Sequence, residues 1–177
     1  DLDKRTYTDT LEENISKAKQ LVISSFSRDY SLGSSCMLSG GLDSSILVSL
    51  ASKETKNLKT YSIDYEDNNI NFTGSSYQPT QDKDFVKIMA DKFNTNHTTF
   101  SFTSKELFNS LKDAMLARDM PGMADVDSSM LLFLKAIKKD GINTILSGEC
   151  SDEIFGGYPW YYKEDLMCSY PFPWAKS

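Results

Sequence analysis

The sequence predicts an α/β domain, a parallel sheet flanked by helices on both faces. Three observations predict it. Short β-branched or aromatic runs alternate with stretches of helical periodicity along the chain. A glycine-rich cluster and an acidic cluster each follow directly on one of those short runs. The 177 residues amount to one domain, long enough for a sizeable core.

The elements can be justified in order. In residues 10–27, Leu11, Ile15, Ala18 and Val22 recur at helical spacing, and Thr10 with Glu13 has the form of a capping box. Ser34 to Leu38 is a short strand-like run ending at Gly40-Gly41, and residues 44–54 resume a helix. Leu58 to Ile63 is β-branched and aromatic, hence a strand. Residues 64–80 are rich in Asp, Asn, Gly and Ser and carry Pro79, which predicts a loop. Phe85, Ile88, Met89 and Phe93 form a helical stripe, and residues 97–102 a strand. Leu107, Phe108, Leu111 and Met115 mark the next helix. Residues 119–127 break the pattern, 129–139 return to helix, and 142–146 form a last β-prone run. After Gly157 the aromatic, proline-rich sequence fits no period, and no internal repeat is visible.

Composition narrows the function classes. Apolar residues make up 40% of the chain and charged residues 25%, which excludes wholesale disorder. The net charge of -6 counts against a nucleic-acid partner, which needs a basic face. No apolar run is long enough for a membrane span, and no signal peptide opens the chain. The first residue is Asp1, so a segment of something longer is expected. Three cysteines without a C-x-x-C pair suit a reducing, cytoplasmic compartment. The single histidine, His97, rules out a multi-histidine metal site and is expected to be structural.

In a parallel α/β sheet, ligands sit beyond the carboxyl ends of the strands, near a switch in strand order. The run Ser39-Gly40-Gly41-Leu42-Asp43-Ser44-Ser45 lies between a strand and a helix. There the unpaired N–H groups of a helix start can receive an anion. Gly40 and Gly41 let backbone approach a ligand closely, and the serines add hydroxyl donors. Asp43 is out of place beside a phosphate unless Mg2+ stands between them. The run is neither G-x-x-x-x-G-K-[ST] nor G-x-G-x-x-G. Ser147-Gly148-Glu149-Cys150-Ser151-Asp152-Glu153 also follows a predicted strand and carries three carboxylates in seven residues. By itself it could be a solvated helix start. Beside a phosphate loop its carboxylates become candidate metal ligands and proton acceptors.

The run SGGLDS resembles the SGGxDS pyrophosphate loop of the N-type ATP pyrophosphatases. The longer SGECSDEIFGGY resembles the SGEGSDEIFGGY signature of the synthetase domain of glutamine-hydrolysing asparagine synthetases, a far more specific match. The resemblance covers about residues 8–162, and DMPGMADVDSS is similar to a variant found in bacterial members. Cys150 departs from the usual Gly and is expected to be a tolerated small residue.

The resemblance implies the adenine nucleotide alpha-hydrolase-like fold. It also implies ATP-dependent conversion of aspartate to asparagine through β-aspartyl-AMP, with release of pyrophosphate and then AMP. ATP and Mg2+ are the implied cofactors. Ammonia would come from a glutaminase domain of the same parent chain, and a homodimer of that parent stays open. By the match, Ser39, Gly40, Gly41 and Ser44 would cradle pyrophosphate, and Leu38 and Ile63, closing two strands, would frame the adenine. Ser147 and Gly148 would contact the nucleotide. Asp43 and Asp152 would hold Mg2+, Glu149 would support the intermediate and take a proton from ammonia, and Tyr158 would contact the intermediate. Residues 1–162 are expected as a partial synthetase domain, with 163–177 a tail leading into a further C-terminal part. That part would carry a lysine facing the transferring phosphate, so the segment alone is expected to be inactive. Another carboxylate-adenylating amide synthetase, such as a β-lactam or peptide-cyclising enzyme, remains an alternative. So does a nucleotide-binding module without chemistry.

Overall fold

A computed structural model describes residues 8–74 and 80–164. In chain order the elements are α1 (Leu11–Asp29), β1 (Ser35–Met37), α2 (Leu42–Glu54), β2 (Lys59–Tyr65), the single turn α3 (Asn68–Asn71) and α4 (Lys83–Phe93). There follow β3 (Asn96–Phe102), α5 (Ser104–Arg118), α6 (Ala124–Lys139), β4 (Ile145–Leu146) and α7 (Ser151–Phe155). A 3-10 turn spans Pro159–Tyr161. The tail from residue 165 and the loop residues 75–79, Pro79 included, lie outside the described residues.

The four strands pair in parallel in the order β3-β2-β1-β4. The chain therefore winds outward from β1 to β3, then crosses back to place β4 on the other side of β1. The order switches between β1 and β4, where Ser35 pairs with Ile145 and Cys36 with Leu146.

Side chains alternate across β1, which sorts the helices into two layers. Cys36 and Leu38 point into a cluster with Phe26 of α1, Val48 and Ala51 of α2, and Val86 and Ala90 of α4. Met37 points the other way, toward Tyr61, Phe133 and Ile137 beneath α6. Helix α5 packs on α6.

Local sequence explains the element ends. Glu13 N–H donates to the Thr10 hydroxyl and Thr10 N–H to the Glu13 carboxylate, so the capping box forms. A second box, Thr103 with Glu106, starts α5. Helix α6 begins five residues before the start expected at 129. Asp125 and Asp127 favour its first turn, and the Ser128 hydroxyl donates to the Ala124 carbonyl at 2.7 Å. The expected loop 64–80 is shorter than its composition suggests, because β2 runs on to Tyr65 and α3 forms within the remainder.

The helical stripes read in the sequence face inward only in part: Met89 and Phe93 pack against the core and Leu107 and Leu111 are half-buried. Val86 and Ala90, not Phe85 and Ile88, bury the inner face of α4. Ser110 and Ala114, not Phe108 and Met115, face inward on α5. Small residues let these helices pack close, and the larger apolar side chains stay outside. On α1, Leu11 and Ile15 are exposed and Phe26 alone is buried, stacked on Tyr30 with ring centroids 4.8 Å apart.

Candidate functional site

A cleft of about 860 Å3 opens at the carboxyl ends of the strands. Its lining includes Leu38, Ser39, Gly41, Asp43, Ser44, Ile63, Ser147, Gly148 and Glu149. The two clusters singled out in the sequence therefore share one cavity, although a hundred residues separate them in the chain.

The first cluster turns directly from β1 into α2. Gly40 has φ +83, a backbone conformation that disfavours any side chain. A Cβ there would also stand 2.7 Å from Phe85 Cβ and 2.9 Å from Val86 N, so the loop rests against the first turns of α4. The loop is held by its own serines. Ser39 N–H donates to Ser44 Oγ at 3.2 Å, the two hydroxyls lie 3.0 Å apart, and Ser44 Oγ donates to the Gly41 carbonyl. Gly41 is the N-cap of α2 and supplies no side-chain acceptor, which leaves the first amides of α2 without a side-chain cap.

The second cluster touches the first through Gly148. A Cβ at that position would lie 2.9 Å from both Asp43 Cβ and Ser44 N. Glu149 is exposed at the mouth, its N–H donating to Ser147 Oγ at 3.3 Å. Cys150 has φ 69 and ψ 4, the left-handed conformation that glycine adopts without strain. Helix α7 then begins, with the Ser151 hydroxyl donating to the Gly148 carbonyl at 2.8 Å. Asp152 folds beneath the next turn. Its Oδ1 lies 1.7 Å from where a Cβ of residue 157 would stand, so Gly157 leaves room for the carboxylate.

Asp43 and Asp152 interact electrically. Burial, and then the charge of Asp152, push the Asp43 carboxyl above the ordinary carboxylate range. A pair of like charges beside an anion loop fits a divalent cation: Mg2+ takes one or two protein carboxylates and completes its shell with phosphate oxygens and water. Among the described residues no set of three or more His, Cys, Asp or Glu side chains is placed to hold a metal unaided.

Not every expected residue reaches the cavity. Gly40, Asp152 and Tyr158 are not among the residues that line it. The Tyr158 ring stacks on Trp160 with centroids 4.4 Å apart and its hydroxyl reaches Glu153 at 3.5 Å. Leu38 and Ile63 both line the cavity but belong to opposite faces of the sheet. Leu38 lies one residue beyond β1 with its side chain wholly buried, and Ile63 does not close β2, which continues for two residues. His97 bridges hydroxyls, with Nδ1 2.9 Å from Thr60 Oγ1 and Nε2 3.0 Å from Ser62 Oγ, and burial lowers its pKa. The sequence reading missed Ser62, Asp64, Lys83 and Lys87, all of which line the cleft. The lysines belong to a helix that the sequence reading described only by its apolar stripe.

An anion-accepting loop and an acidic loop meeting at the switch point of a parallel sheet define the class: an α/β protein built as nucleotide-binding domains are built. A family model described as asparagine synthase matches residues 30–176. The chain belongs to the asparagine synthase family, whose domain has the adenine nucleotide alpha-hydrolase-like fold. The glutamine-hydrolyzing asparagine synthetase 3 of Bacillus subtilis is 40% identical over 183 residues, which cover 99% of this chain and 29% of that protein. The glutamine-hydrolyzing asparagine synthetase of Zea mays is 32% identical over 72% of this chain and 22% of its own length. A probable asparagine synthetase of Schizosaccharomyces pombe is 31% identical over 71% and 24%, respectively. The chain thus spans under a third of the curated relatives it matches. No helix among the described residues is long and apolar enough to cross a membrane.

Proposed function

We propose that this chain supplies the ATP-binding, carboxylate-activating site of an enzyme that makes asparagine from aspartate. The observation that carries the reading is the meeting of the two signatures: the backbone of Gly148 lies directly against Asp43 and Ser44. That contact brings anion donors and carboxylates to one point.

In this reading a side-chain oxygen of aspartate bonds to the α-phosphorus of ATP. The bond from that phosphorus to the α–β bridging oxygen breaks, and pyrophosphate leaves. Ammonia then adds to the acyl carbon of β-aspartyl-AMP, AMP departs, and a proton is lost. The Ser39–Ser44 loop receives pyrophosphate through backbone N–H groups, two hydroxyls and the positive end of α2. The site is formed before the ligand arrives, since the serines already hold the loop, and such preorganised donors stabilise charge as it develops. Ser147 and Gly148 border the nucleotide. Glu149, which is exposed and lines the cleft, would take the ammonium proton. Asp43 and Asp152 would hold Mg2+, which when bound neutralises phosphate charge.

The nitrogen would come from glutamine through a glutaminase domain of the parent chain. Sparse cysteines favour a reducing, cytoplasmic setting. The test is aspartate-dependent exchange of pyrophosphate into ATP by the intact protein. Exchange should vanish in Asp43→Asn and fall strongly in Glu149→Ala. Near-normal exchange in both, or exchange indifferent to aspartate, would sink the reading.

A further inference from the structure

We propose that Lys83 and Lys87 are polyphosphate-binding residues, contacting the pyrophosphate end of the nucleotide from the helix on which the serine loop rests. The inference rests on the reading that the cleft takes ATP.

Helix α4 presents one stripe to the cavity, formed by Lys83, Val86, Lys87, Ala90 and Asp91. These positions recur at helical spacing and so share a face. Val86 and Ala90 are buried against the sheet, which fixes the rotation of the helix. The two lysines sit one turn apart on the side that borders the open cavity.

Their position along the helix is also fixed. The glycine loop meets α4 at Phe85 and Val86, where a Cβ on Gly40 would come within 2.9 Å of Val86 N. Lys83 and Lys87 bracket that contact. A polyphosphate cradled by the Gly40–Gly41 turn therefore lies within the sweep of both flexible side chains.

Charge selects the same role. Lys83 and Lys87 are the only Lys or Arg residues among the described lining, which otherwise carries Asp43, Asp64, Asp82, Asp91 and Glu149. Neither lysine has an ion pair or hydrogen bond to a described residue. Two cations left without carboxylate partners inside an acidic cleft are available to an anionic ligand. The polyphosphate is the most highly charged part of the proposed ligand set. An ammonium group also serves phosphate well, as a point charge with three donors that needs no fixed plane.

The experiment measures equilibrium binding of ATP, inorganic pyrophosphate and AMP to the intact protein and to Lys83→Gln, Lys87→Gln and the double variant. Each single change should weaken ATP and pyrophosphate about tenfold, the scale of one charge-assisted contact, while AMP stays within about twofold. Lys87→Arg should retain most of the affinity, and the KM for aspartate should not move. Equal losses for ATP and AMP would overturn the proposal, since they would indicate a structural role. So would unchanged ATP binding, or a rise confined to the aspartate KM. Failure of the unmodified protein to bind ATP or pyrophosphate would instead refute the nucleotide reading itself, and the proposal with it. Melting temperatures of the variants should match the parent, because both side chains are exposed.

Discussion

Replacement of Gly148 by alanine tests whether the two loops must touch. The added methyl would lie 2.9 Å from Asp43 Cβ, 2.9 Å from Ser44 N and 3.0 Å from Asp43 C. Carbon contacts settle at about 3.5–4.0 Å, so the deficit is about 0.6 Å, and it is met by three atoms of one stretch of chain. None of these atoms is the tip of a flexible side chain. The loops have to separate, at a cost of about 1–3 kcal/mol for overpacking of this kind. For a domain of this size each kcal/mol lowers the melting temperature by about 2–4 °C. Misplacement by about 1 Å at a reacting centre can cost roughly a hundredfold, so half that displacement predicts about a tenfold loss of pyrophosphate exchange. The assay pairs thermal unfolding with aspartate-dependent exchange. Gly141→Ala serves as the control: its φ of +82 makes a side chain strained, yet nothing lies within 4 Å of the new methyl. It should lose about 1 kcal/mol of stability and no exchange. A Gly148→Ala protein with unchanged melting and full exchange would refute the argument that the loops are held in contact.

Three further outcomes are expected. Asp43→Asn should gain stability over the parent as pH rises above 3.8, because the raised Asp43 pKa means that the ionised form weakens the fold; added Mg2+ should narrow the gap, and parallel pH–stability curves would count against the Asp43–Asp152 repulsion. Cys150→Gly should raise stability by about 1 kcal/mol by relieving a left-handed residue, with exchange unaltered; a loss measured by denaturant unfolding would show that the thiol packs favourably. Thr103→Ala should lose about 1 kcal/mol through the broken capping box while nucleotide binding persists, and an unchanged denaturation midpoint would show that α5 does not depend on its cap.

What was legible in the sequence divides by the range of the interaction involved. Thr10 with Glu13 announces a helix start because both partners lie within one turn. The serine–glycine run and the acidic run could be placed after strands because chain order alone supports an alternating α/β architecture. The approach of Gly148 to Asp43 is a long-range contact that no local pattern encodes. The inward faces of α4 and α5 were only partly contained in the apolar stripes for a related reason. Large apolar residues such as Phe85 and Phe108 dominate a hydrophobic count, whereas the close packing of these helices selects Val86, Ala90, Ser110 and Ala114. An apolar stripe alone does not place Lys83 and Lys87 beside the cleft, and in the sequence they look like ordinary solvent-facing lysines. Cys150 was expected to be a tolerated small residue, and the positive φ it adopts shows a conformational demand that residue size alone does not reveal.

Strand β4 has a consequence for how the protein comes apart. It is two residues long and among the described residues pairs only with β1, yet the whole acidic loop hangs from its end. Marginal segments of this kind open at free energies below that of global unfolding. A ligand that needs both loops binds only the closed arrangement, and at about a hundredfold excess over its Kd it adds roughly 2.7 kcal/mol to the cost of opening. Slow amide exchange at Ile145 and Leu146 would then report occupancy rather than intrinsic sheet strength. The nucleotide would act as a rivet between two stretches of chain that the backbone fastens only lightly.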